Sequence, residues 1–106
     1  MITFEDFSKL EIRIGKVLDA EKVEGTDKLI KLKIDLGTEK RQIVAGIAES
    51  YKPEKLIGKE LPILVNLEPK KFRGLESQGM ILAADMNGKP ILMHPDKEVP
   101  PGSLVK

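Results

Sequence analysis

The chain contains no cysteine and no tryptophan, and only one histidine, three phenylalanines and one tyrosine among 106 residues. Without cysteine there are no disulfides, thiolate zinc sites or cysteine nucleophiles, and one histidine is too few for most transition-metal centres. No apolar run approaches the roughly 20 residues that cross a bilayer, so no membrane is expected. The opening "MITFEDFSKL" is acidic and short, unlike a secretory leader, and the expected location is the cytoplasm. Gly-rich phosphate loops are missing too, as are long helices alternating with strands, which argues against a nucleotide-binding βαβ unit. Four serines are present, but the only base available to them is His94, in "LMHPD". None has a nucleophile-elbow pattern around it, so no catalytic residue, metal or cofactor is expected.

What the chain does have is aliphatic and charged side chains, at 41% hydrophobic and 33% charged, enough for one folded domain over residues 1–106. Richness in Lys and Glu together with the missing Cys and Trp suggests a heat-adapted source. The net charge is only +1, but residues 25–73 hold 11 basic against 7 acidic side chains. Folded onto one face, that segment would attract phosphates while the molecule as a whole stays near neutral.

Thr3 and Asp6 bracket a capping box ahead of a short helical turn carrying Phe4 and Phe7. "LEIRIGKVLDA" places Ile12, Ile14, Leu18 and Ala20 on one parity, with a kink or bulge expected at Gly15. In "KLIKLKIDLG", Ile30, Leu32, Ile34 and Leu36 alternate with Lys31, Lys33 and Asp35, which predicts a half-buried strand ended by Gly37. "RQIVAGIA" predicts a third strand with Ile43 and Ala45 inward. A helical turn or two then fits between Pro53 and Gly58. "ELPILVNLEP" reads as a fourth strand, kept by Pro62 near an edge or at a strand start. A loop through "RGLESQG" leads to a fifth strand from Met80 to Ala84. Asn87-Gly88 predicts a two-residue hairpin turn returning through Ile91 to Met93, followed by an extended proline-bearing tail.

Three strands, a short helix and two strands match an all-β, five-stranded OB-fold barrel, with a C-terminal hairpin extension added. The barrel core is expected over about residues 8–85 and the extension over about 86–106. Beside the last barrel strand lies the cationic knot Lys70, Lys71 and Arg73. With so few aromatics, stacking many unpaired bases is disfavoured, and recognition of a folded RNA by its backbone and 2′-hydroxyls fits better.

The stretches "KLEIRIGKVLDAEKVEGTDKL", "RQIVAGIAESYKPEKLIGK" and "VNLEPKKFRGLESQGMILAA", taken in order, resemble the tRNA-binding domain family. The likeness is closest to the C-terminal domains or β subunits of methionyl-tRNA synthetases, and it covers nearly the whole chain. It implies a non-catalytic module that binds tRNA by shape, pairs as a homodimer and supplies tRNA affinity to a methionyl-tRNA synthetase catalytic domain, fused or separate. The family's groove pattern falls on Lys28, Arg41, Gln42, Asn66, Lys70, Arg73, Ser77 and Met80, and Lys71 joins them by position. The cations would meet phosphates, Asn66 and Ser77 riboses or base edges, and Met80 would offer an apolar contact. The expected dimer contacts are Phe4, Phe7, Met86, Ile91, Met93, Val99 and Leu104. The alternatives are a chaperone of the same fold and a purely structural dimerisation domain. One departure from the family is the absence of a His-Pro pair before "DKL", where this chain reads "KVEGTDKL".

Overall fold

The computed structural model describes residues 1–106. A capped helical turn, α1 (Phe4–Phe7), opens the chain, and both capping-box bonds between Thr3 and Asp6 are made at 3.1 Å. The main strands follow as β1 (Ile12–Lys22), β2 (Ile30–Asp35), β3 (Lys40–Ala45) and β4 (Glu60–Leu64), with a single 3-10 turn (Pro53–Lys55) before β4. Next come β5 (Lys70–Phe72), β6 (Leu75–Ser77), β7 (Met80–Ile81), β8 (Ala83–Met86), β9 (Lys89–Leu92) and β10 (Leu104–Val105). The antiparallel sheet runs β3-β2-β1-β4-β7 and curls into the five-stranded OB-type half-barrel, with β10 paired to the start of β1.

The core is aliphatic. Val17, Ile30, Leu32, Ile34, Ile43, Leu56, Leu61 and Ile63 are essentially inaccessible to solvent, as the β2 alternation requires. Burial of each such side chain contributes on the order of 1.5–3 kcal/mol.

Strand β1 departs from simple alternation. Its register shifts between Val17 and Asp19, so Leu18 is the extra residue of a bulge and is exposed, while Val17 points into the core and Ala20 packs against it. Ile12 and Ile14 lie outside the core cluster, with Leu104, Val105 and Met93 around the same outer groove. The four residues that share a parity in the sequence therefore divide among three environments. Gly15 is not the bulge. It marks a close approach, since a Cβ there would sit 2.3 Å from Ile34 Cγ2.

Pro62 sits in the interior of the sheet, between β1 and β7, rather than at an edge. It is opposite Ile14, whose own amide and carbonyl turn instead to Ser103 and Gly102 of the tail. On its other side Pro62 accepts a bond from the Leu82 amide but has no N–H to return. The strand expected from Met80 to Ala84 breaks there, into β7 and β8 on either side of Leu82. The Asn87-Gly88 turn forms as predicted, with φ of +52° and +86° joining β8 to β9.

Candidate nucleic-acid interface

Between Pro69 and Gly79 the chain forms a second hairpin where a loop was expected. Strands β5 and β6 pair Lys70 with Ser77, Lys71 with Glu76, and Phe72 with Leu75. The two-residue turn is Arg73-Gly74, with φ of +52° and +80°, the left-handed pair that a type I′ connection demands. Glycine meets that demand freely, whereas arginine carries a steric cost at the first position. Lys70 Nζ stands 5.1 Å from the Phe72 ring centroid, so Phe72 steadies a cation rather than presenting a bare face. Lys70, Lys71 and Arg73 are exposed and none is in a salt bridge.

The hairpin hangs on the free edge of β3. The Gln78 amide donates to Gln42 O at 2.8 Å, and Gln78 Oε1 accepts from the Gln42 amide at 3.0 Å. Gln42 Nε2 donates to Glu76 O at 2.9 Å, and Ser77 Oγ accepts from the Val44 amide at 2.9 Å. Two side chains thus do what a neighbouring strand's backbone would do, and they satisfy the edge of β3. Gly79 fits the seam because it has φ +146° and no side chain; a Cβ would approach Leu64 O to 2.9 Å.

Several residues expected to contact RNA also make hydrogen bonds within the chain. Ser77 is 4% exposed, and its hydroxyl is committed to Val44 and to Gly79 O at 3.0 Å, so it is not free to meet a ribose. Asn66 is exposed, and its amide also ties the chain together, with Oδ1 accepting from the Glu11 amide at 2.8 Å and Nδ2 donating to Lys9 O at 2.7 Å. Arg41 pairs in register with buried Ile34, and its guanidinium turns to Val65 O, Gln78 O and Glu39. The hydrogen bond from Arg41 holds the Glu39 carboxyl below its ordinary range, against an opposing effect of desolvation, with the charges of Arg41 and Arg13 adding to the lowering. Gln42 is likewise engaged in the seam. Met80 remains exposed at 44%.

Lys28 is exposed on the β1–β2 loop, where its carbonyl accepts from the Ala48 amide at 2.8 Å. Although the loop lacks a His-Pro pair, it is ordered by Gly25 at φ +78° and by Thr26 Oγ1 donating to Val23 O at 2.8 Å. Lys28 sits at the Ile30–Ala45 end of the β2–β3 pair, and the hairpin leaves β3 one step away, at Gln42 to Val44. Outward on the same strands lies a groove of about 320 Å³ lined by Asp19, Glu21, Lys31, Lys33, Lys40 and Gln42 among others. Lys31 is neutralised by Glu21 at 2.6 Å; Lys33 is exposed and unpaired. Lys33 and Lys40 were absent from the expected set, although the β2 alternation already turned Lys33 outward.

Of the expected dimer residues, Met93, Val99 and Leu104 line one apolar groove. Phe4, Met86, Ile91, Met93 and Leu104 are exposed, and Val99 is half-buried. Phe4 and Phe7 pack on each other with centroids 6.4 Å apart and join no core. An apolar groove of about 420 Å³ runs past Ile12, Ile14, Pro62, Leu82, Met93 and Leu104. His94 is exposed and donates from Nδ1 to Glu60 O at 2.8 Å. No helix is long and apolar enough to cross a membrane.

Comparison with known proteins agrees with this architecture. A family model described as a tRNA binding domain matches residues 12–104. The chain is 62% identical over 104 residues to a methionine–tRNA ligase of Archaeoglobus fulgidus and 57% identical to that of Thermotoga maritima. In both cases the match covers 98% of this chain and 16% of the ligase, so the chain spans about a sixth of those relatives. Among solved structures, a MetRS related protein from Pyrococcus horikoshii superposes with a TM-score of 0.95 at 46% identity, covering 100% of this chain and 98% of that one. The chaperone CsaA of Bacillus anthracis superposes with a TM-score of 0.92 at 37% identity, covering 100% and 99%. With the family's domain matched across nearly its whole length, this chain belongs to the tRNA binding domain family.

Proposed function

We propose that the chain is a non-catalytic module that grips the sugar-phosphate exterior of tRNA and raises the tRNA affinity of a methionyl-tRNA synthetase catalytic domain, fused to it or separate, in the cytoplasm. The observation that carries this reading is the β5–β6 hairpin, which exposes Lys70, Lys71 and Arg73 with no carboxylate in salt-bridge range. Lys28 and Lys33 extend the field along the β2–β3 pair, and exposed Met80 adds an apolar contact. Ser77, Arg41 and Gln42 serve this surface by holding the hairpin segment against β3. Unpaired exposed cations bind phosphates with release of counterions, so binding is steeply salt-dependent.

Titration of tRNA against the chain at two salt concentrations tests the reading. Lys70→Ala with Arg73→Ala should weaken binding by about 1–3 kcal/mol and flatten the dependence of log K on log salt by roughly 0.9 for each phosphate no longer neutralised. Unchanged affinity and slope would contradict it.

The chain also pairs as a homodimer in this reading, through the exposed Phe4, Met86, Ile91, Met93 and Leu104, which doubles the phosphate contacts available to one RNA. A second reading, a chaperone for unfolded polypeptide, is favoured by the apolar groove beside Ile12, Ile14 and Leu82 and by the likeness to CsaA. The same titration with an unfolded polypeptide in place of tRNA separates them, because apolar binding responds only weakly to salt.

A further inference from the structure

The edge of β3 is closed by side chains rather than by a strand, and the unpaired cations of the hairpin lie just beyond that closure. β6 is the hairpin strand that meets the barrel, and it is fastened by the Gln42–Gln78 pair and by Ser77. At the tip Arg73 is exposed at φ +52° and joins two strands of which β6 is fastened to β3, so the tip's position is inherited from the base. From this geometry we infer that Gln78 is a positioning residue for RNA binding: its side chain locks the hairpin to β3 at a fixed angle and thereby fixes where Lys70, Lys71 and Arg73 meet phosphates. The inference rests on the reading of the hairpin as a tRNA contact.

Three features support it. Gln78 and Gln42 bond reciprocally, main chain to main chain in one direction and side chain to main chain in the other, which fixes both the separation and the twist of the two segments. The Gln42 amide is only half-buried, so water can replace Gln78 Oε1, and loss of that acceptor loosens the seam without orphaning a core group. Arg41 Nη1 also donates to Gln78 O at 3.2 Å, so two successive residues of β3 hold Gln78. A phosphate contact depends on the placement of the cation, and a hairpin free to rock loses affinity although every cation is still present.

The test is a double-mutant cycle on the full chain, read by tRNA affinity at low salt and by hydrogen exchange. Gln78→Met retains the volume and removes the acceptor; Gln78→Asn withdraws it by one methylene and serves if the methionine variant is poorly folded. The second arm is the triple replacement Lys70→Ala, Lys71→Ala and Arg73→Ala. Expected are roughly fivefold faster exchange at the Gln42 amide, with Ile34 unchanged, and a tRNA affinity about three- to tenfold lower. In the triple-variant background the Gln78 replacement should have no further effect, because no cations remain to be aimed. An equal loss in both backgrounds would mean that Gln78 touches RNA itself and would overturn the inference. Faster exchange with unchanged affinity would overturn it too. Wild-type affinity in the triple variant with Gln78 intact would instead sink the reading of the hairpin as an RNA contact, and this inference with it.

Discussion

Arg73 combines two opposed demands at a single residue. Its left-handed backbone suits asparagine or glycine, and a long side chain there costs on the order of 1 kcal/mol, yet the same residue offers a charge at the exposed turn of the hairpin. Arg73→Asn should therefore raise the thermal midpoint by a few degrees, through about 0.5–1 kcal/mol of relieved strain, while weakening tRNA binding. Calorimetry and a binding titration on one preparation check both halves; a gain in stability with undiminished affinity would remove Arg73 from the interface. The sequence identified the residue but not its conformation, because "FRG" lacks the Asn-Gly signature that made the Asn87-Gly88 turn readable. Residue chemistry alone also left the intramolecular bonds of Ser77 and Asn66 unread. Both are polar and both lie in a matched motif, but which groups they bond depends on strands that are 33 and 55 residues distant in sequence.

Among the elements, β2 was legible because its pattern has one period and one buried face. β1 was not, because a bulge after Val17 reverses the parity and the tail covers Ile12 and Ile14 from outside, and neither the bulge nor the tail contact leaves a local signal. Pro62 was read as an edge marker. The interior strand tolerates it because Ile14 bonds to the tail and because the partner strand breaks at Leu82. The start of β3 is tied by Arg41 to the carbonyls of Val65 and Gln78, and Glu39 is the counter-charge of that tie. Since the folded pKa of Glu39 is depressed, its contribution to stability is fully present above its unfolded value near 4.5 and is lost as pH falls through the lower folded value. Glu39→Gln should thus be less stable than the wild type at neutral pH, and the two should converge in acid. Denaturation measured from pH 7 to pH 3 checks this, and a difference that widens in acid would contradict it.

The whole molecule separates two kinds of surface although its net charge is only +1. Lys28, Lys33 and the hairpin cations gather along β2, β3 and the strands fastened to β3, whereas the large apolar groove lies against β1, β4 and the tail and shares no residue with them. The basic excess in residues 25–73 includes all of these cations, and of the expected dimer residues Met93, Val99 and Leu104 line the groove. The seam through Gln42 and Gln78 was not anticipated, since it exists only once the sheet has curled.

The central claim, that tRNA lies across the β2–β3 edge and its fastened hairpin, is tested most directly by amide hydrogen exchange of the intact chain with and without tRNA. Slower exchange is expected in residues 26–33, 40–46 and 70–80, with little change around Ile12, Ile14, Leu82 and Leu104. Protection confined to that apolar groove, with the hairpin exchanging as it does in the free protein, would contradict it.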